Sequence, residues 1–163
     1  MTALLDYLQG RGVPFQAIPH PQTATSLAEA HALGVPEEEV AKTLVIIASS
    51  GPALLVIPAS RRLDMDLVRR AVNDPEARLA TERELMKAFP DYELGALPPL
   101  GLFLLAPMYV DPAVTERESI TFAAGRQDLS IRMITKDLFR DDPVVITPLT
   151  AGSRVGDPAG ETV

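Results

Sequence analysis

Between Glu39 and Arg61 the sequence holds one charged side chain, Lys42, at the threshold of the apolar run Leu44–Ala48. A lysine at the mouth of a buried strand is costly unless its ammonium reaches water or a partner. Two readings fit that position. The ammonium can snorkel to solvent from the strand end, or it can stand at a pocket rim, binding a phosphate or polarising a carbonyl. A second feature is Gly95-Ala96-Leu97-Pro98-Pro99-Leu100-Gly101, in which glycines bracket a proline pair. Such a segment is either a rigid connection or a place where a ligand can reach main-chain N–H groups without meeting side chains.

Other familiar chemistries lack their parts. There is no GxSxG elbow, and Ser49, Ser50 and Ser60 lie in turn-like contexts. Ala41-Lys42-Thr43 ends like a phosphate-binding loop, but Ala41 stands where GxxxxGK[ST] requires glycine. No GxGxxG is present. The chain has no cysteine, and its histidines are His20 and His31, so a histidine zinc site would need carboxylates to complete it. We therefore expect neither a metal nor a cofactor.

Elements that would position these residues can be read from periodicity and caps. Leu4, Leu5 and Leu8 recur at helical spacing, and Gly10 and Gly12 stop that helix. Val13–Pro19 reads as a short strand. Ser26 with Glu29 reads as a capping box opening a helix to about Leu33, with Gly34 as its left-handed stop. Lys42–Ala48 and Ala53–Pro58 are β-branched, apolar runs separated by Ser49-Ser50-Gly51-Pro52, a hairpin signal. If that strand is regular, either Lys42 or Thr43 points inward. Asp64 can cap one further helix, and Thr81 with Glu84 another, ended by Pro90. Pro90–Gly101 cannot be regular structure. Leu102–Val110, Ser119–Ala123 and Leu129–Ile134 read as strands, followed by a short helix around Lys136–Arg140. The order predicts a single-domain α/β fold with a mixed β-sheet flanked by helices. Residues 1–150 would form this domain, and 151–163 a flexible C-terminal tail.

A chain of 163 residues suits one domain and can bury roughly 70% of the surface that its unfolded form exposes. The N-terminus carries Asp6 and no long apolar core, so we expect neither a signal peptide nor a membrane span, and a cytoplasmic protein. A net charge of −7 argues against general nucleic-acid affinity. Only residues 60–87 are not acidic, with seven bases (Arg61, Arg62, Arg69, Arg70, Arg78, Arg83, Lys87) against six acids. That section is either a solvated helical face or a small basic patch meeting one end of an RNA.

Taken together, these residues resemble the YbaK family, free-standing relatives of the editing domain inserted in bacterial prolyl-tRNA synthetases. The resemblance runs from about residue 13 to 140. It takes in Thr23–Gly34 (TATSLAEAHALG), Val40-Ala41-Lys42-Thr43-Leu44, Leu55–Pro58, Leu63-Asp64, Leu79–Glu82, Phe89-Pro90-Asp91 and the Gly95–Gly101 loop. Val110-Asp111, Ile120-Thr121-Phe122, Ala124-Gly125 and Ile131-Arg132-Met133 complete it. The AKT strand start and the GxxPPxG loop at this separation make a specific pair.

The resemblance implies hydrolysis of the ester joining a wrongly attached amino acid to the terminal adenosine of tRNA. It implies that Lys42 matches the family's essential lysine beside that ester. Gly95, Pro98, Pro99 and Gly101 fall on the loop whose main chain lines the pocket. It further implies a mechanism with no protein nucleophile, using the substrate's own ribose hydroxyl and a water. His20, after the first strand, is either a substrate-binding residue of the pocket wall or the maker of a structural hydrogen bond; Thr43 and Ser130 are further candidates for substrate binding. Relatives acting on cysteinyl-tRNA carry an acid near residue 130, and close relatives often carry an aromatic near Leu100, so this chain departs at both. The implied partners are the acceptor end of a mischarged tRNA and an aminoacyl-tRNA synthetase, with no membrane and no DNA. Two other functions stay open: a binder of tRNA ends, nucleotides or a synthetase without turnover, and a hydrolase of small amino-acid esters or adenylates.

Overall fold

Two apolar, β-branched runs form the centre of the molecule in the computed structural model, whose described residues are 2–154. Strands β2 (Ala41–Ala48) and β3 (Gly51–Pro58) pair antiparallel in unbroken register, from Ala41↔Pro58 to Ala48↔Gly51. Gly51 takes φ +117° at the turn, a conformation that side chains disfavour. Strand β3 is buried throughout Ala53–Pro58, and so its sequence is continuously apolar rather than alternating. β5 (Arg78–Leu79) pairs antiparallel with β2, while β6 (Met108–Val110) and β9 (Val144–Ile146) extend the other side in parallel. The resulting five-stranded mixed sheet has the order β5-β2-β3-β6-β9.

A three-stranded antiparallel sheet, β1 (Phe15–Pro19), β8 (Leu129–Ile134) and β7 (Ser119–Arg126), joins it through a parallel bridge between Val40 and Thr121. Helices α1 (Thr2–Gly10), α5 (Gly101–Leu104), α6 (Pro112–Thr115) and α7 (Thr135–Phe139) contribute Leu4, Leu8, Leu104, Val114 and Leu138 to the main core between the sheets. α3 (Met65–Ala71) covers a second cluster through Val68, packed with Ile46, Leu55 and Ile57. Helix α4 (Glu82–Ala88) has the Thr81–Glu84 capping box, and Asp64 caps α3, both as the sequence indicates. The mixed-sheet α/β fold is the one expected. No helix among the described residues is long and apolar enough to cross a membrane.

Several local expectations change. Leu102–Val110 is not one strand. It begins as helix α5, turns at Leu105 with φ +59°, and becomes a strand only at Met108, after Pro107. Apolar content cannot separate a buried helical turn from a strand, and here Ala106 N–H closes back on the Gly101 carbonyl at 3.0 Å. Helix α2 (Ser26–Leu33) is capped by Thr25, one residue before the expected cap. Strand β10 (Thr150–Arg154) pairs with β4 (Arg61–Leu63), so the first residues of the expected tail are built into a ladder. Residues 155–163 lie outside the described ones.

Candidate functional site

Lys42 sits on β2 opposite Ile57, and the start of that strand is held from several directions. Glu39, in a single 3-10 turn just before it, accepts from Arg117 (2.9 Å) and Arg132 (3.1 Å). The Ala59 N–H donates to the Val40 carbonyl at 2.7 Å, clamping the end of β3 to the beginning of β2. A cleft of about 300 Å³ opens here. One wall is Lys42, Thr43 and Leu44 with Ala59; another is Ala24–Leu27, at the start of α2; Gly95 closes the side.

The electrostatics of this cleft are one-sided. Lys42 is half-buried, and its pKa is held below the usual lysine value first by burial and then by the positive charge of Arg62. Arg62 itself is exposed on β4. Neither cation forms a salt bridge among the described residues. An unpaired, half-buried ammonium reinforced by a guanidinium suits an anion or a polarised oxygen. Thr43 adds a polar group to the wall: its hydroxyl is buried and has no hydrogen-bond partner among the described residues. Buried hydroxyls are normally satisfied, so this one is an exception beside the cleft.

The loop expected from its glycines and prolines divides into two parts. Gly95 is exposed at the cleft with φ +76°, and a Cβ there would lie 3.1 Å from the Ala24 carbonyl oxygen. Pro98, Pro99 and Gly101 are buried away from it. A Cβ on Gly101 would meet the Ala106 carbonyl at 2.9 Å, with Asp142 and Met108 each at 3.1 Å. The N–H groups of Gly101 and Leu102 face the Asp142 carboxyl, whose pKa is raised because burial outweighs those bonds. Gly101 thus permits close packing inside the domain, whereas Gly95 borders the cleft.

His20 and Ser130 lie together, but not with Lys42. The His20 ring engages the Pro21 carbonyl through Nδ1 and Ser130 Oγ through Nε2, each at 2.8 Å. Ser130 is fully buried and donates its hydroxyl to the Glu29 carboxyl. Glu29, which the sequence suggested as part of a capping box, instead points inward from α2 and is 3% exposed. Burial pushes its carboxyl above the usual range, against the lowering influence of Ser130 and His20. The true cap, Thr25, accepts from Ala28 N–H at 3.1 Å, which leaves Glu29 one position too far along to reach back.

The β7–β8 hairpin ties the Ala24–Leu27 and Gly95 sides of the cleft together. Thr23 N–H donates to the Gln127 carbonyl at 2.8 Å, and Gly125 N–H donates to the Ala96 carbonyl at 2.8 Å. Gln127 also donates through its side chain to the Leu94 carbonyl at 2.9 Å. Residues that sequence reasoning did not select are therefore Ala24–Leu27, Ala59, Arg62 and Glu29. Of these, Arg62 carried a signal, as part of the one section that is not acidic. No group of three or more His, Asp or Glu side chains that could hold a metal ion occurs among the described residues.

An α/β domain with a lysine-rimmed cleft between a hairpin and a short helix defines a class that comparison with known proteins identifies. Residues 20–140 match the family model of the aminoacyl-tRNA editing domain, and the chain belongs to that family. Among solved structures, a proposed trans-editing enzyme for prolyl tRNA synthetase superposes with a TM-score of 0.80 at 25% identity, covering 92% of this chain and 96% of that one. The hypothetical protein APE2540 superposes with a TM-score of 0.82 at 24% identity, covering 90% and 98%. A proline–tRNA ligase of Fervidobacterium nodosum is 30% identical over 84 residues, which are 52% of this chain and 14% of the ligase. The match thus spans only a small part of that relative's length.

Proposed function

We propose that the chain is a trans-acting deacylase that hydrolyses the ester of mischarged aminoacyl-tRNA, working in the cytoplasm as a proofreading factor. The observation that carries this reading is the half-buried Lys42, in no salt bridge among the described residues, in a cleft that also presents Thr43 and the Gly95 backbone. Membership of the editing-domain family supports the same chemistry. The need for such an activity is physical. A synthetase pocket separates amino acids differing by one methylene by only about 1–3 kcal/mol, so a second, hydrolytic sieve is required.

In this reading Lys42 anchors the terminal phosphate or ribose, with Arg62 beside it contributing positive charge at the mouth. Water adds to the ester carbonyl, the bond from that carbon to the ribose oxygen breaks, and the ribose oxygen takes up the proton. The amino acid leaves as its free acid. The Gly95 N–H, which makes no hydrogen bond among the described residues and borders the cleft, is in this reading the loop donor that stabilises the carbonyl oxygen. The Gly101 N–H, already turned to Asp142, is not. One such donor is typically worth about 2.7–4 kcal/mol. Pro98 and Pro99 stiffen the loop from behind.

A deacylation time course on a panel of mischarged tRNAs, wild type beside Lys42→Ala, tests the proposal. Release of one small amino acid by the wild type, lost in the variant, is the expected result. Release from none of them, with tRNA or a synthetase still bound, would replace it by the binding function.

A further inference from the structure

The segment from His20 to Glu29 contains the cleft wall Ala24–Leu27; backbone N–H groups of His20 and Thr23 tie its beginning to the β7–β8 turn, and side chains from both of its ends meet at one buried hydroxyl. His20 Nε2 lies 2.8 Å from Ser130 Oγ at the beginning of the segment, and the Glu29 carboxyl accepts from the same oxygen's proton near its end. Helix α2 reaches the neighbouring sheet through the Glu29 side chain. Its apolar anchorage is a small cluster in which Ala30, Val40 and Ala59 are buried, with Leu27 and Val35 partly so. Its first turn is capped locally by Thr25, which makes the helix but does not dock it.

Glu29 is an expensive way to fill that position. A buried carboxyl loses its hydration, and an apolar side chain of similar size would cost less to bury. What the carboxyl supplies is a directional tie to a fixed strand. β8 is the central strand of its sheet, paired on both sides, with Ser130 opposite Ile18 on β1 and Ala123 on β7. The hydroxyl is therefore a stationary point against which the wall is registered. His20 cannot serve the cleft as a free base in this arrangement, because both its ring nitrogens are engaged.

We infer that Glu29 and His20, acting through Ser130, are positioning residues that set where the Ala24–Leu27 wall stands against Lys42, and so how large an aminoacyl group the cleft accepts. The inference rests on the deacylase reading for its kinetic consequence, but not for its structural one.

Two measurements on Glu29→Ala, Ser130→Ala, Glu29→Gln and the Glu29→Ala/Ser130→Ala double variant test it. The first is hydrogen exchange of the free proteins. The α2 amides of Glu29→Ala and Ser130→Ala should exchange on the order of tenfold faster than in wild type, with the β2–β3 amides unchanged. Glu29→Gln, which can still bond Ser130, should exchange like wild type. The second is deacylation of one tRNA charged with alanine or with valine. Loosening the wall should shrink the ratio of kcat/KM for the two esters about fivefold or more. The double variant should shrink it no further than either single one, since both remove the same tie. Unchanged α2 exchange in both alanine variants would overturn the inference, as would additive effects on the ratio. If wild type hydrolyses neither ester, the deacylase reading loses support for these substrates while the exchange data still decide the positioning role.

Discussion

The two sides of the cleft are built by different means. On one side Lys42 and Thr43 belong to a hairpin whose every residue from Ala41 to Ala48 has a ladder partner, backed by a strand buried throughout Ala53–Pro58. On the other, Ala24–Leu27 belongs to an eight-residue helix and the turn before it, held by a buried carboxyl, a cap and a few bonds to the β7–β8 turn. The first side gains its position from burial and backbone pairing, which change little when one polar group is altered. The second depends on individual hydrogen bonds, each of which can be removed alone. A cleft arranged this way keeps its cation fixed while leaving its shape adjustable by single substitutions.

The largest effect should come from the fixed side. Lys42→Ala is expected to lower deacylation by about two to three orders of magnitude, in the range found for removal of one electrostatic stabiliser. Its fold should be retained, because the lysine's ammonium makes no ion pair among the described residues. Single-turnover kinetics with thermal unfolding checks both halves, and near-normal turnover would show that the cation is not used. The paired glycines sharpen the comparison next. Gly101→Ala forces a Cβ to within 2.9 Å of the Ala106 carbonyl and should destabilise by about 1–3 kcal/mol, read as a lower Tm. Gly95→Ala, strained by φ +76° and pressed against the Ala24 carbonyl, should cost about 1 kcal/mol or more in stability but lose proportionally more activity. Equal losses in both properties at both glycines would remove the distinction between the two halves of the loop.

That distinction also marks how far the sequence could be read. The hairpin was legible because Lys42–Ala48 and Ala53–Pro58 are too short and too β-branched for helices, and turn residues separate them. Asp64, Thr81 with Glu84, and Gly34 were legible because caps act within a few residues of chain. What depended on distant partners was not. Glu29 looked like a capping residue, since nothing local reveals Ser130 behind it, 101 positions away. Val144–Ile146 is a three-residue parallel edge strand, recognisable only once Met108–Val110 lies beside it. Lys42 could be selected from its isolation among apolar residues, but the wall opposite it contains only small and hydroxyl side chains and Leu27, with no chemical signature of its own. Pro98, Pro99 and Gly101 shared a motif with Gly95, and motif membership alone does not say which residues face the cleft.

Two matched caps test whether the suspended wall is special. Thr25 caps α2 beside the cleft, and Thr81 caps α4, which contributes no residue to the cleft. Removing either hydroxyl by Thr→Ala should cost about 1 kcal/mol of stability by denaturant titration. Only Thr25→Ala should also raise KM for the tRNA ester. If Thr81→Ala raised KM equally, the effect would come from general loosening and not from the wall.

The smallest effect concerns protons. Burial holds the Glu29 carboxyl above its ordinary value, so the folded protein keeps that proton over a range in which the unfolded chain has released it. Where the folded state binds more protons, stability falls as pH rises, here from the ordinary carboxylate value up to the raised one. Glu29→Gln removes that titration while keeping a partner for Ser130. Its stability should therefore match wild type at the acid end of the window and gain on it toward neutral pH. Asp142, raised by burial in the same way, remains in both proteins and cancels in the difference. Urea unfolding of the pair across the acid-to-neutral range gives the difference directly. Parallel curves would mean that Glu29 titrates like an exposed side chain and that the wall is not held through a buried carboxyl; a widening gap would place the pH-sensitive tie on the α2 side of the cleft.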